Sequence, residues 1–527
     1  MAHVTCSLEG AGRTFICAPT PARGALLAGD SASARGVPLV TEPRLRPYTG
    51  SHDLPVSPAL DAFMRTGWAK GPRPADARVP AHALTPARRA RAAARFPGER
   101  LVVPAGSPAV PSLDAAHRFR PHTAYAWLTG LTGEDQAGHV LVLEPDGDAR
   151  HEAVLYMRPG SPRSGQDFHR DRGHGEFWVG RRPGLAEATA LTGIRCEHRD
   201  AWDKLLTGTQ PPTRVLTGVD PSVDAWLGDA RRLPALRSAP AGLDAVIDEL
   251  RLVKDSWEQA QLQRAVDATT AGFEDVVRCL PQAIADPRGE RRVEGVFGLR
   301  ARLEGNGPGF PTVVAAGDHA CVLRRTRNDG PLERGRLLLL DAGVATDSLY
   351  TADLTRTIPL SGAFTPVQRA VYELVLAAQD AGIAALRPGA RFHDFHDAAM
   401  RVIAEGLHDW GVLAVPAQEA LAPENGLHRR YTLCGTGHML GMDVHDCARA
   451  RAGIYPDGVL EAGQVLTVGP GLYLRPDDET LPRSLRGNGV RIEDDLVITG
   501  DGARLMSSAL PRTPDGVEAW MAALLDG

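Results

Sequence analysis

Four residues in the last third of the chain offer hard metal ligands at or beside the ends of apolar runs. They are Asp341 closing LLLLDAG, Asp353 in TADLTRT, His438 in GTGHMLGMDVHD and Glu493 in VRIEDD. A fifth stretch, LTVGPGLY, offers only Gly469 where such a site would want a carboxylate. Three carboxylates with one imidazole suit Mn, Fe, Co or Zn better than a soft, thiolate-selective site would. A pair of such ions can activate water and polarise a carbonyl, which is the chemistry of amide hydrolysis. Taken singly each residue says little, because an Asp at a strand end is often only a turn former.

The elements that must position these groups are legible in outline. RLLLLDAG, TRTIPLSG, QVLTVGPGLYL and GVRIEDDLVIT read as strands with the ligands on them or at their ends. Strand-mounted ligands are held tightly, as a metal site needs. Residues 241–282 have apolar residues at three-and-four spacing and predict helix. A second helix opens with Thr365 as N-cap and Pro366 as first residue, and Gly389 follows its end. A third is FHDFHDAAMRVIAEGLHDWG, where His393, His396 and Asp397 read as polar groups of a helix start.

Upstream, LVVPAG, YAWLTGLTG, HVLVLEPDG and HEAVLYMRPG are short apolar runs broken by Gly and Pro, with a helical stretch near 181–191. They predict a small α/β domain. The loop 161–175, with His169 and His174, reads as a polar surface loop. LTPARRARAAAR at 84–95 reads as a helix with a solvated basic face. Residues 1–50 are rich in Ala, Gly, Pro and Ser without periodicity and read as a disordered leader. The resulting division is leader 1–50, N-terminal domain 51–238 and C-terminal domain 239–527.

The chain has 527 residues, too many for one ordinary core. A net charge of −5 gives no reason to expect nucleic acid or an anionic membrane as partner. No apolar run is long enough to span a bilayer, and the N-terminus lacks the basic-then-apolar order of a secretory signal. Seven scattered cysteines, an odd count without a CxxC, point to reduced thiols in a cytoplasm.

In their order and flanks, DAG, ADLTRT, GTGHMLGMDVHD, PGLY and RIEDD resemble the aminopeptidase P branch of the creatinase-like "pita-bread" metallopeptidases. The resemblance extends to RLVKDSWEQAQLQRA, FTPVQRAVYE and RPGARFHDFH, and covers about residues 50–527. It implies a mixed α/β protein: an N-terminal α/β domain, then a curved antiparallel sheet flanked by helix pairs. It further implies a homodimer or homotetramer and release of the N-terminal residue before a proline. Two metals, typically Mn, would be bound by Asp341, Asp353, His438, Glu493 and one further glutamate. Asp353 and Glu493 would bridge, His445 would contact the substrate near the scissile bond, and Arg491 would stand beside the proline pocket.

Three positions depart from the family pattern. Gly469 replaces the remaining glutamate, so a metal ligand and a general base are lost together. Loss of a general base alone typically costs about 10²–10⁴ in rate. Arg324, in CVLRRTRND, and Cys434, in TLCGTGH, replace two histidines. Asp341, Asp353 and Glu493 remain as a full set for one metal; Asp353, His438 and Glu493 are what is left for the other. One tight site and a weaker or absent second follow. Three readings are open: an Xaa-Pro aminopeptidase with an impaired or single-metal site, a repurposed one-metal enzyme on a small amide or amino-acid-derived compound, and a non-catalytic homologue.

Overall fold

The predicted N-terminal strands form one five-stranded sheet: β1 (Arg100–Pro104), β2 (Val140–Pro145), β3 (His151–Met157), β4 (Arg195–His198) and β5 (Thr213–Val215), in the order β4-β3-β2-β1-β5. The computed structural model describes residues 56–69, 79–110, 117–147, 150–206, 211–228, 242–450 and 457–526. The expected leader, 1–50, lies outside them.

Against this sheet lie α1 (Thr85–Ala93) and α2 (Thr123–Thr129). The basic face of α1 is not solvated as expected. Arg88 and Arg89 are 4% and 8% exposed. Arg88 Nη2 reaches Asp255 Oδ2 at 3.0 Å, and Arg89 Nη1 donates to Leu128 O at 2.9 Å. Carbonyls at the end of α2 and an acidic helix start supply the partners that a buried guanidinium requires. Nor is His169 a surface residue: it is buried with Nε2 3.1 Å from Asp61 Oδ1.

Two helix pairs dominate the C-terminal part. After α3 (Leu243–Arg251), α4 (Ser256–Ile284) packs along α5 (Gly289–Glu304), and α6 (Pro366–Ala385) along α7 (Phe392–Asp409). The chain ends in α8 (Pro514–Asp526). Asp255 and Glu258 cap α4 reciprocally, as Thr365 and Gln368 cap α6. Leu262, Val266, Phe273, Val276, Val277 and Leu280 form the buried stripe of α4.

Between the pairs runs a curved set of strands. They are β6 (Gly307–Pro308), β7 (Val313–Ala316), β8 (Leu337–Ala342), β9 (Val344–Ala345), β10 (Leu354–Pro359), β11 (Val465–Val468), β12 (Gly471–Leu474), β13 (Asn488–Arg491), β14 (Asp494–Ile498) and β15 (Ala503–Leu505). Strands β7, β8 and β10 are antiparallel neighbours, as are β11, β14 and β15, and β12 pairs with β13. QVLTVGPGLYL and GVRIEDDLVIT are each split in two, at Gly469–Pro470 and at Ile492–Glu493. Pro470 has no N–H to give the ladder. Pairing resumes in the same register beyond the break, Val468↔Asp494 before it and Gly471↔Arg491 after it. A bridge between Thr355 and Glu493 joins the two halves. Val313, Asp341, Thr355, Glu493 and Gly469 therefore stand in one row across the sheet.

Candidate metal centre

That row brings distant segments together. Asp341 is the penultimate residue of β8, and Asp353 lies one residue before β10. The chain turns tightly between them. A Cβ on Gly343 would stand 1.7 Å from Ala352 O, so only glycine fits the third position of DAG. Glu493 is held by the paired backbone bonds of the Thr355 bridge. His438 is not in a strand but precedes the Met439–Leu466 bridge, with its N–H donating to Thr467 Oγ1 at 3.2 Å.

Ligand atoms of Asp353, His438 and Glu493 lie within 4.8 Å of one another. His438 Nδ1 is 3.2 Å from Met439 O, a bond that puts the proton there and leaves Nε2 as an acceptor. Nε2 in turn faces Asp353 Oδ2 at 3.2 Å. Two acceptors so placed want a proton or a cation between them. Asp341 Oδ1 and Asp353 Oδ1 are buried without hydrogen-bond partners. These donors fit a divalent metal by type, convergence and unmet valence.

The electrostatics agree. Burial, Asp353 and Asp341 push Glu493 up to about 8. Burial and the Asp341 charge hold Asp353 well above the usual carboxylate range. Asp495, fully buried behind them, is raised by burial and by Asp353, and accepts the Asp353 N–H at 3.1 Å. Three carboxylates this close resist full ionisation without a further cation.

Arg491 occupies the Asp341 end of the row. It donates to Asp341 Oδ2, to Thr355 Oγ1 at 3.1 Å and to the Tyr473 hydroxyl at 2.8 Å. Asp341 is thus engaged by a guanidinium and is not part of the convergent group. That group is the set expected from the sequence to be the weaker of the two. His445 stacks edge-on to His438 with ring centroids 4.3 Å apart, and burial, His438 and Arg324 lower its pKa.

Asp341, Asp353, His438, His445, Tyr473, Arg491 and Glu493 line a cavity of about 390 Å³. Arg324, Cys434 and Gly469 line it as well. Gly469 is the most telling: a Cβ there would meet Glu493 Cδ at 2.4 Å and Cγ at 2.7 Å. Glu493 leans across the place that a side chain at 469 would take.

Sequence reading missed the supports. Tyr473 and Thr355 orient Arg491 and Glu493; Tyr473 was visible in PGLY and Thr355 in DLTRT. Arg356, fully buried, pairs with Asp494 at 2.6 Å and donates to Glu493 O at 2.9 Å. From α6, Gln379 Nε2 approaches Val468 O at 3.1 Å, Ile492 O at 3.2 Å and Asp494 Oδ2 at 2.8 Å, bracing both strand breaks. Arg251 and Lys254 clamp buried Asp446, beside His445. His396, expected only as a helix-start polar group, instead reaches Thr436 Oγ1 at 2.7 Å, in the segment leading to His438.

The sequence matches the description Metallopeptidase family M24 over residues 260–500 and Aminopeptidase P, N-terminal domain over 86–213. It is 51% identical to Xaa-Pro aminopeptidase 1 of Streptomyces coelicolor over 469 residues, covering 89% of this chain and 93% of that protein. Xaa-Pro aminopeptidase of Escherichia coli is 31% identical, covering 81% of this chain and 94% of the relative. Among solved structures, a zinc-substituted E. coli aminopeptidase P in complex with product superposes with a TM-score of 0.74 at 28% identity, covering 84% and 98% of the two chains. The sheet, the ligand row and these likenesses together place the chain in metallopeptidase family M24, in its aminopeptidase P branch.

Proposed function

We propose that the protein is a metal-dependent Xaa-Pro aminopeptidase that carries one tightly bound divalent metal. The observation that carries this reading is the convergence of Asp353, His438 and Glu493 in a cavity, in a chain half identical to a protein of that name. The oxygen-rich donor set favours Mn. Bound there, the metal would act as a Lewis acid toward the scissile carbonyl and its attacking water. Gly469 leaves this position one carboxylate short, while Arg491 occupies Asp341 at the neighbouring one, so a second ion binds weakly or not at all.

The chain's own residues do the rest. Arg491 keeps Asp341 oriented, and Thr355 holds Glu493 by a 3.2 Å hydrogen bond. His445, kept neutral by its surroundings, can hydrogen-bond the substrate beside the scissile bond. Phe310, Pro311 and Val444 supply apolar wall for a proline ring.

The finer readings are a cytoplasmic protein and a homodimer or homotetramer. The cysteines that can be described, Cys196, Cys279, Cys321, Cys434 and Cys447, are all free, which supports a reducing compartment. Among the described residues no helix is long and apolar enough to cross a membrane.

The test is elemental analysis of the purified protein together with release of the first residue from an Xaa-Pro peptide. One equivalent of metal with slow, proline-dependent release is expected. Tight metal binding with no proline-dependent release would favour the repurposed enzyme, and absence of metal binding would leave a non-catalytic homologue.

A further inference from the structure

Arg324 stands on a loop that is built rather than loose. Glu290, fully buried on α5, accepts from Ala316 N at 2.9 Å, Gly330 N at 2.7 Å and His319 Nδ1 at 2.7 Å. Asn328, in the left-handed region at φ 46°, accepts from Val314 N at 3.0 Å and donates to Thr312 O at 2.9 Å. The loop between β7 and β8 is pinned at both ends.

Its arginines are not equivalent. Arg325 and Arg327 both pair with Asp329. Arg324 is exposed and, among the described residues, its side chain makes no hydrogen bond or ion pair, yet it lines the same cavity as the carboxylates. With the metal on Asp353, His438 and Glu493, a guanidinium on the wall of the same cavity complements a substrate with an anionic end, which the planar five-donor fork receives.

We propose that Arg324 is a specificity residue that receives the free carboxylate of a C-terminal proline, so that the preferred substrates are Xaa-Pro dipeptides rather than longer peptides. This rests on the Xaa-Pro reading of the site and narrows its substrate class. In a longer peptide the proline carbonyl is a neutral amide and leaves the guanidinium without its anion. A charge-assisted bidentate contact typically discriminates by about 10–100-fold.

The experiment uses the full chain loaded with Mn and three probes: glycyl-proline, glycyl-prolinamide and glycyl-prolyl-glycine. Hydrolysis is measured, and dissociation constants are measured separately by calorimetry. The free dipeptide is expected to exceed the amide and the tripeptide about 10–100-fold in kcat/KM and in affinity, chiefly through KM. Arg324→Gln is expected to collapse that ratio toward one, and Arg324→Lys to restore part of it. Arg327→Gln, which removes an equal charge from the same loop, should leave the ratio intact. Equal handling of the dipeptide and its amide by the parent would overturn the proposal, as would an unchanged ratio in Arg324→Gln. Failure to bind or cleave any of the three would overturn the Xaa-Pro reading instead. Preferential binding of the dipeptide without turnover would still uphold the role of Arg324.

Discussion

The two ends of the cavity differ in kind. At one end Asp341, Thr355, Glu493 and Arg491 are cross-linked by hydrogen bonds and backed by the buried pair of Arg356 and Asp494. At the other, Gly469 has no side chain, and Cys434 and Arg324 are exposed. The difference teaches where such a site tolerates change. A ligand in the braced row is also a structural member, because removing it strands a buried partner. Cys434 and Arg324 touch mainly solvent and substrate, so their replacement alters chemistry and leaves the fold alone, whereas Gly469 is buried and a side chain there presses on Glu493.

The sharpest break in this comparison comes from Asp353→Asn. It removes one of the three convergent donors, and both metal-induced thermal stabilisation and peptidase activity should fall to background. At the far end of the row, Gly469→Glu should raise metal content from about one to about two equivalents and kcat by about 10²–10⁴. Glu493 must swing aside to admit it, since the new Cβ would lie 2.4 Å from Glu493 Cδ. A mutant that still binds one equivalent would show that Gly469 is not what separates the two ends. Arg356→Met leaves Asp494 buried without its cation, and urea unfolding should register a loss of about 3–5 kcal/mol.

The carboxylates also set a pH dependence. Glu493 titrates near 8 in the metal-free fold, against an ordinary value of 4.5. Below 4.5 folded and unfolded chains are both protonated there, and nothing is lost. Between 4.5 and 8 the unfolded chain ionises while the folded one resists, so the metal-free protein loses stability as pH rises. Metal binding needs the ionised carboxylate and gains over the same window. The rise in melting temperature on adding Mn should therefore be larger at pH 8 than at pH 6; an equal rise at both would break the link. The smallest effect expected is that of His396→Ala, which removes one hydrogen bond to Thr436 and should cost about 1 kcal/mol.

Much of this was legible beforehand because the ligands sit in short, ordered flanks. DAG needs its glycine for a backbone contact, and PGLY and RIEDD mark two strands that face each other. What escaped reading is long-range. α5 contains Gly295 and Gly298, which weaken its helical signal, yet it packs along α4 and carries buried Glu290. Arg88 and Arg89 looked solvated because their partners, Asp255 and Leu128 O, are remote in sequence or belong to another element. His396 looked like a helix-start residue because Thr436 is forty positions away.

By itself the amino-acid sequence determined the ligand types, their order, the family and the three departures, since these depend on residue identity and local spacing. Only the tertiary structure decided that Asp353, His438 and Glu493 converge while Arg491 takes Asp341. It alone placed Gly469 opposite Glu493 and, among the described residues, left Arg324 without a partner on the cavity wall. The reason is physical: a ligand's identity is a property of one residue, whereas its competition with a guanidinium or a neighbouring side chain depends on sheet register between different strands, 150 residues apart for Arg491 and Asp341.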